Sequence, residues 1–288
     1  VIQVAGLTKR YGKALALDNV SFDVAHGQSL ALWGPNGAGK TTILRCFLGL
    51  ARYSGSVRVD AIDPARHGEQ ARRRIGYVPQ DLPIPPLTVD ELTAYIAKLK
   101  RATLAEGAAR LDQLGLGPHG DKAVDALSGG LRQRLALALA LIGSPPVLLL
   151  DEPTANLDAQ GRAELIQLLK RLRHDGMTLV FSSHRPEDVL ALADRVLLLD
   201  AGHVQHELTP VSFMRSLGET SRMVLFLRNG HIREALSALT QFTVEATADG
   251  RVLTVAVQPQ QKAEVLDRLA RAGVELEDFD VERMIWTG

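Results

Sequence analysis

The sequence contains a single cysteine, Cys46, among its 288 residues. One cysteine excludes both a disulfide framework and a cysteine metal cluster within the chain, so we expect a reduced, cytoplasmic setting. Long apolar runs are missing too: the longest, Leu135 to Ile142, has eight residues, which is too few to cross a bilayer. The N-terminal residues do not follow the pattern of a signal peptide. If this protein works at a membrane, another chain must cross that membrane.

The chain also lacks net charge, since 33 Lys and Arg residues balance 33 Asp and Glu residues. These totals give no electrostatic footprint for nucleic acid or anionic lipid, so we expect no nucleic-acid partner. The hydrophobic content of 46% is ordinary for a globular chain. The length predicts one large domain with a smaller appendage.

One motif stands out, Gly34-Pro35-Asn36-Gly37-Ala38-Gly39-Lys40-Thr41-Thr42, which fits the phosphate-binding loop (P-loop) pattern G-x-x-x-x-G-K-[ST]. A buried-strand pattern at 29–33 precedes it and a helical pattern from Ile43 follows, which is the context that the motif requires. Its glycines let backbone N–H groups converge on phosphate oxygens at a helix N-terminus. We expect Lys40 to reach the β and γ phosphates and Thr41 to coordinate Mg²⁺.

Two later apolar runs, 147–150 and 177–182, predict buried strands that end on polar residues. The first is followed by Asp151 and Glu152, and the second leads to His184. In an open α/β sheet the carboxyl ends of the strands face the ligand crevice. We therefore predict that Asp151 meets Mg²⁺, directly or through water, and that Glu152 is the base for the attacking water. His184 is either a solvated loop histidine or a third member of this site.

Tyr11 and Gln80 follow shorter strand patterns. Tyr11 opens a turn between strands predicted at 1–4 and 20–24, where it could stack on an adenine base or pack under the hairpin. Gln80 follows a strand predicted at 75–78.

Residues from about 82 to 145 predict a helical insertion in the α/β domain, because prolines interrupt any strand there and helical patterns follow. Thr88 and Glu91 have the spacing of a capping box. Further on, the alternating Leu135–Ile142 run predicts a buried helix, because Ala and Leu are strong helix formers. The residues at the start of that helix form a second candidate anion site: Ser128, Gly129 and Gly130.

Taken in this order, the motifs resemble the nucleotide-binding subunit of an ABC transporter over about residues 1–215. The segment 127–130, Leu-Ser-Gly-Gly, is the most specific, since many ATPases have a P-loop and an aspartate-ending strand without it. The resemblance implies an α/β P-loop NTPase fold of the ABC ATPase type, with a mixed sheet core and a helical subdomain at about 82–145. It also implies an ATP-hydrolysing subunit that dimerises, with itself or with a paired ABC ATPase, around two MgATP. Such a subunit powers a separate transmembrane permease from the inner face of the cell membrane.

The resemblance assigns roles residue by residue. It implies ATP contacts by Tyr11, Gly34, Pro35, Asn36, Gly37, Ala38, Gly39, Lys40, Thr41, Thr42, Ser128, Gly129, Gly130 and Asp158. It implies Mg²⁺ contacts by Thr41, Gln80 and Asp151, and catalytic roles for Lys40, Gln80, Glu152 and His184. Leu131 departs from the family, which often has glutamine there, but the serine and the backbone N–H groups make the main phosphate contact.

The C-terminal segment, 220–288, predicts a small α+β domain in βαββαβ order, the ferredoxin-like arrangement. Residues 219–288 carry 11 acidic and 8 basic side chains, which argues against RNA binding. A ligand-sensing or dimerising role is an analogy of fold. Just before this segment, His203 and His206 lack cysteine or carboxylate neighbours in register, so we do not expect a metal there.

Other functions are weighed against this one. The short C-terminal extension is typical of bacterial systems with a separate permease and resembles, weakly, ATPases of copper-enzyme maturation, although no copper site is visible. A soluble ABC ATPase acting on ribosomes or DNA is the main alternative. Ribosome-acting members usually carry two cassettes, and DNA-repair members separate their motifs by long coiled coils, for which the interval between Lys40 and Ser128 leaves no room. A module that binds ATP without hydrolysing it is disfavoured by Glu152 and His184.

Overall fold

The computed structural model describes residues 1–83, 85–219, 221–228, 231–247, 251–257 and 261–283. The chain divides into two compact units, 1–210 and 211–288. The division lies between residues 210 and 211, at the start of a helix over Pro210–Glu219. It therefore falls earlier in the chain than the sequence-based limits, 1–215 and 220–288. Those limits stay a prediction of where independent domains end. Residues 220, 229–230, 248–250, 258–260 and 284–288 of the predicted C-terminal domain lie outside the described residues.

The strands of the first unit form two sheets. In chain order they are β1 (Ile2–Tyr11), β2 (Ala14–Val24), β3 (Ser29–Trp33), β4 (Ser54–Val59), β5 (Ile75–Val78), β6 (Val147–Leu150), β7 (Thr178–Ser182), β8 (Arg195–Asp200) and β9 (His203–Leu208). An antiparallel sheet has the order β2-β1-β4, and a mixed sheet has the order β5-β6-β7-β3-β8-β9. Only the pair β8–β9 is antiparallel in the mixed sheet.

The helices from the start of the chain to the junction are α1 (Lys40–Phe47), α2 (Gly68–Arg73), α3 (Val89–Lys100), α4 (Leu104–Gln113), α5 (Gly129–Leu141), α6 (Ala159–His174), α7 (Pro186–Leu192) and α8 (Pro210–Glu219). The three helices α3, α4 and α5 contact one another and form the predicted helical region. Among the described residues, none of the helices could serve as a bilayer span.

The sequence pattern explains the mixed sheet. Strands β3, β6 and β7 are buried at every position, so they read as continuous apolar runs rather than alternating ones. The helix predicted over Leu135–Ile142 is confirmed over Leu135–Leu141, the buried part of α5, and Ile142 is the residue that follows the helix. Its leucine–alanine alternation imitates a strand, but both faces are covered and both residue types favour helix.

Strands β1 and β2 and helix α2 differ from the sequence-based expectation. The predicted short strands 1–4 and 20–24 are longer, because β1 and β2 continue pairing up to the turn at Tyr11 through several shifts of register. These irregularities break the apolar alternation that would have revealed the full strands. Helix α2 was missed because only one of its six residues, Ala71, is buried.

The second unit continues from α8 with β10 (Ser221–Leu227), α9 (Ile232–Ala238), β11 (Thr243–Ala246), β12 (Val252–Val257), α10 (Lys262–Arg271) and β13 (Leu276–Arg283). The sheet is antiparallel with the order β11-β12-β10-β13. This order confirms the ferredoxin-like arrangement. Its core is built from alternate residues of β10 and β12 together with apolar residues of the two helices.

Candidate nucleotide site

Four neighbouring parallel strands, β5, β6, β7 and β3, end at one edge of the mixed sheet. Each is followed by residues that the sequence singled out: Gln80 after β5, Asp151 and Glu152 after β6, His184 after β7, and the P-loop after β3. In open α/β sheets, ligands bind in the crevice at this edge. The fold therefore gathers the P-loop, Gln80, the acidic pair after β6 and His184 at the carboxyl ends of adjacent strands.

The P-loop needs glycine at two positions for steric reasons. Gly34 has φ 155°, and a Cβ there would lie 2.1 Å from the carbonyl oxygen of Leu199. Gly39 has φ 104°, and a Cβ there would lie 2.5 Å from Leu17 Cδ2. At Gly37 an added Cβ would meet nothing within 4 Å, so that side of the loop is open. The loop therefore packs closely against the protein at Gly34 and Gly39 and is accessible at Gly37.

Lys40 begins helix α1 and is 6% exposed. Its Nζ donates to the carbonyl oxygens of Gly34 at 2.6 Å and of Pro35 at 3.0 Å. Burial lowers the pKa of Lys40, and the nearby carboxylates of Glu152 and Asp151 act in the opposite direction. The loop thus holds a cation at the point where the α1 N-terminus concentrates positive potential.

Asp151 is 3% exposed and is fixed by a neighbouring strand. Its Oδ1 accepts a hydrogen bond from Ser182 Oγ at 2.7 Å, and the same Oγ accepts one from the Glu152 N–H at 2.9 Å. Sequence reasoning did not single out Ser182, although a serine closing an apolar strand was a visible signal. The buried carboxylate also helps burial raise the pKa of Tyr77 to about 12.

Glu152 and His184 contact each other, since His184 Nε2 lies 2.7 Å from Glu152 Oε1. Their side chains are 16% and 38% exposed, so the pair lies at the surface of the crevice. The Glu152 backbone has φ 49°, in the left-handed region that non-glycine residues seldom adopt. Two residues predicted separately from two strand ends thus form one contacting pair.

The second candidate anion site lies at the start of α5. Ser128 caps that helix by accepting the Leu131 N–H at 3.4 Å, and Asp158 caps α6 by accepting the Gly161 N–H at 2.8 Å. Both caps line one cleft of about 950 Å³, together with Gly129, Gly130 and Asn156. The P-loop residues, all of which are described, do not line this cleft. The site at α5 and the P-loop of one chain therefore belong to different surfaces.

Tyr11 and Gln80 are both exposed. Tyr11 is 45% exposed with Lys9 Nζ 4.4 Å from its ring centroid, so it does not pack under the hairpin, and adenine stacking stays a prediction. Gln80 has an informative neighbour: Asp81 Oδ1 accepts from Asn156 Nδ2 at 3.4 Å. This contact connects the segment after β5 to the loop that leads into α6.

His203 lies on β9, and its Nε2 is 3.8 Å from Asp18 Oδ2, a carboxylate neighbour that the sequence did not reveal. Within the described ranges, no group of three or more His, Cys, Asp or Glu residues could hold a metal ion.

A mixed sheet whose parallel strands end on a P-loop and an acidic pair at one edge defines a P-loop nucleotide-binding protein. Comparison with known proteins narrows this class, because the ABC transporter family model matches residues 17–155. The chain is 35% identical over 290 residues to the daunorubicin resistance ATP-binding protein DrrA3 of Streptomyces coeruleorubidus, covering 98% of this chain and 92% of the relative. The chain belongs to the family of ABC transporter ATP-binding proteins, and it is an ATPase.

Other relatives and solved structures agree. The linearmycin resistance ATP-binding protein LnrL of Bacillus subtilis is 33% identical over 210 residues, covering 71% of this chain and 68% of that protein. An ATP-binding subunit of an ABC transporter matches with a TM-score of 0.69 and 26% identity, covering 76% of this chain and 93% of the other. A dimeric ATP-binding cassette in a post-hydrolysis state, bound to ADP and Pi, matches with a TM-score of 0.66 and 29% identity over 73% of this chain and 99% of the other.

Proposed function

We propose that this chain is the ATP-hydrolysing subunit of an ABC transporter, and that it pairs head to tail with a second subunit around two MgATP. The observation that carries the proposal is the Glu152–His184 contact at the carboxyl edge of the sheet, beside the buried Asp151. A base, an orienting histidine and a P-loop are the parts that phosphoryl transfer to water needs.

Binding of ATP follows from the P-loop geometry. The backbone N–H groups of Gly34–Thr42 and the start of α1 take the phosphates, and Lys40 exchanges its loop carbonyls for phosphate oxygens. Mg²⁺ fits the donors at this edge, a buried carboxylate at Asp151 and hydroxyl and amide oxygens at Thr41 and Gln80, because Mg²⁺ typically takes one or two carboxylates plus substrate phosphates. When bound, it neutralises charge on the β and γ phosphate oxygens.

Hydrolysis is assigned to Glu152. Its carboxylate takes a proton from the attacking water, while the contact with His184 Nε2 fixes the orientation of that carboxylate. Ser182 supports both acidic residues, since its Oγ contacts the Asp151 carboxylate and the Glu152 backbone. Positioning of this kind supplies most of the rate in phosphoryl transfer.

A nucleotide site shared between two subunits is supported by the cleft at the start of α5. Ser128, Gly129, Gly130 and Asp158 line one surface, and the P-loop of the same chain does not reach it. A second subunit, either another copy or a paired ABC ATPase, brings its own nucleotide to this cleft. The similar ATP-binding cassette bound to ADP and Pi is dimeric, which supports pairing of two such subunits.

The partner driven by ATP hydrolysis is a separate transmembrane permease. This chain is attached peripherally to the inner, cytoplasmic face of the membrane. The relative that matches 98% of this chain is named for daunorubicin resistance, whereas the relatives that match 70–73% include both import proteins and resistance or export proteins. This favours export of an organic compound. A role in copper-enzyme maturation stays a prediction.

The test is purification of the protein from its native membrane under mild conditions, followed by identification of what co-purifies. We expect a membrane protein whose cytoplasmic loops crosslink near Gln80 and the segment 82–95. Recovery with ribosomal proteins or DNA, in place of a membrane protein, would support the soluble alternative and contradict the transporter role.

A further inference from the structure

Asp188 is a buried carboxylate that the proposed chemistry does not use. It lies in the first turn of α7 and is 1% exposed. Its Oδ1 accepts from Arg162 Nε at 2.8 Å, and its Oδ2 accepts from Thr154 Oγ1. Ser183 Oγ lies 3.4 Å from that same Oδ2. One carboxylate therefore joins the turn before α7, which carries Ser183, to the turn after β6 and to the start of α6.

Two of these partners belong to the turns that carry the proposed catalytic pair. Thr154 follows Glu152 by two residues, within a turn closed by the bond from the Ala155 N–H to the Glu152 carbonyl at 3.1 Å. Ser183 immediately precedes His184. Thr154 and Ser183 are both 3% exposed, so these contacts are shielded from water, and this shielding strengthens them.

The third partner, Arg162, lies in the first turns of α6, and its N–H donates to the carbonyl of Asp158 at 3.0 Å. Asp158 caps the same helix and lines the cleft assigned to the second subunit. A displacement of the α6 N-terminus would therefore reach Asp188 through one side chain.

We propose that Asp188 is a positioning residue for ATP hydrolysis, which holds the Glu152 turn and the His184 turn in register with each other and with the α6 N-terminus. This inference rests on the proposed function of Glu152 and His184. The reason is geometric: Asp188 is the shared acceptor of both turns, so its loss lets the 2.7 Å Glu152–His184 contact drift. Misplacement of a reacting group by about 1 Å costs on the order of 100-fold in rate.

The experiment compares Asp188→Ala with Asp194→Ala as a control. Asp194 also pairs with an arginine of α6, Arg173, but its other contact is the Ser29 N–H at the amino end of β3, away from the nucleotide edge. For Asp188→Ala we expect kcat to fall about 10- to 100-fold, with MgATP affinity within about threefold of the parent protein. For Asp194→Ala we expect a lower Tm without a selective fall in kcat.

Non-additivity separates positioning from general destabilisation. If Asp188 acts through Glu152, then adding Asp188→Ala to Glu152→Gln causes no further loss of kcat. Multiplicative losses, or a kcat for Asp188→Ala equal to that of Asp194→Ala, would overturn the inference. If Asp188→Ala does not fold, Thr154→Val replaces it in the test, because it removes one hydroxyl at nearly constant shape. We expect Thr154→Val to lower kcat, and to cause no further loss of kcat when it is combined with Glu152→Gln.

These results also distinguish the inference from the function on which it rests. Normal hydrolysis by Glu152→Gln would contradict the proposed function itself. An inactive Glu152→Gln beside a fully active Asp188→Ala would remove only the role of Asp188.

Discussion

Glu152 combines an unusual backbone with a functional contact. Its φ of 49° places it in a region that costs a non-glycine residue of order 1 kcal/mol or more. The cost is offset locally, because Ser182 accepts its N–H and His184 contacts its carboxylate. Strain of this kind persists where the surrounding contacts over-determine the conformation, and here those contacts aim the side chain into the crevice.

Lys100 leads to a prediction about pH. Burial lowers its pKa from 10.5 to about 8, and its Nζ donates to the Ile75 carbonyl at 2.7 Å. Because the unfolded chain keeps the Lys100 proton up to about its ordinary pKa, it binds more protons than the folded chain between pH 8 and 10.5. The free energy of unfolding should therefore rise with pH across that window through Lys100, by at most about 3 kcal/mol.

The measurement is urea unfolding at pH 7.5 and pH 9.5 for the parent protein and Lys100→Met. We expect the parent to gain more stability than the variant between these two pH values. Cys46, Tyr53 and Tyr77, whose pKa values burial raises to about 12, lower the stability as the pH rises. They do so equally in the parent and in Lys100→Met, so the difference between the two proteins reports Lys100. Equal pH dependence in the two proteins would show that Lys100 is not desolvated as described.

For single residues, the sequence predicted those whose residue type and local pattern indicate a chemical role. The P-loop, the Asp151–Glu152 pair and His184 each follow a recognisable strand, and adjacency of the strands brings them together. Asp188 and Asn156 could not be predicted in the same way, and for Ser182 the only local signal was its position at the end of an apolar strand. Their significance lies in contacts between segments far apart in the chain, which no local pattern encodes.

At the scale of elements, helix α3 shows how far local rules reach. The spacing of Thr88 and Glu91 predicted a capping box, and both bonds are present: the Thr88 N–H donates to Glu91 Oε2 at 2.8 Å, and the Glu91 N–H donates to Thr88 Oγ1 at 3.2 Å. Helix α2 was not predicted because it has few buried positions. The full length of β1 and β2 was not predicted because their shifts of register interrupt the periodic signal.

We expect Thr88→Ala to lower the free energy of unfolding by about 1 kcal/mol, since it removes the acceptor for an otherwise unpaired N–H. The ATPase rate at saturating MgATP should not change, because the cap makes no contact with the nucleotide edge. Thr88→Ser is the control and should retain most of the stability. A loss of activity with unchanged stability would indicate that the start of α3 takes part in the reaction.

For the whole molecule, the central question is whether the second unit contributes to nucleotide binding. Its sheet and core are its own, and all proposed nucleotide residues lie in the first unit. A shortened chain ending at Pro210 should therefore bind MgATP with an affinity within about threefold of the full chain. Dimer stability or regulation is free to change.

Equilibrium binding of a fluorescent ATP analogue to the folded, shortened chain provides the measurement. A complete loss of binding, with the fold retained by circular dichroism, would mean that the unit boundary or the assigned site is wrong.

The central claim is tested most directly by the oligomeric state of Glu152→Gln with and without MgATP. The substitution should lower kcat by about 10²- to 10⁴-fold and leave nucleotide binding intact, so that bound ATP persists and joins two subunits. In size-exclusion chromatography we expect Glu152→Gln to elute as a dimer only with MgATP. Adding Ser128→Arg should abolish this dimer with ATP still bound, and adding Lys40→Ala should abolish it by removing ATP. Normal hydrolysis by Glu152→Gln, or a dimer that forms regardless of Ser128→Arg, would contradict the account.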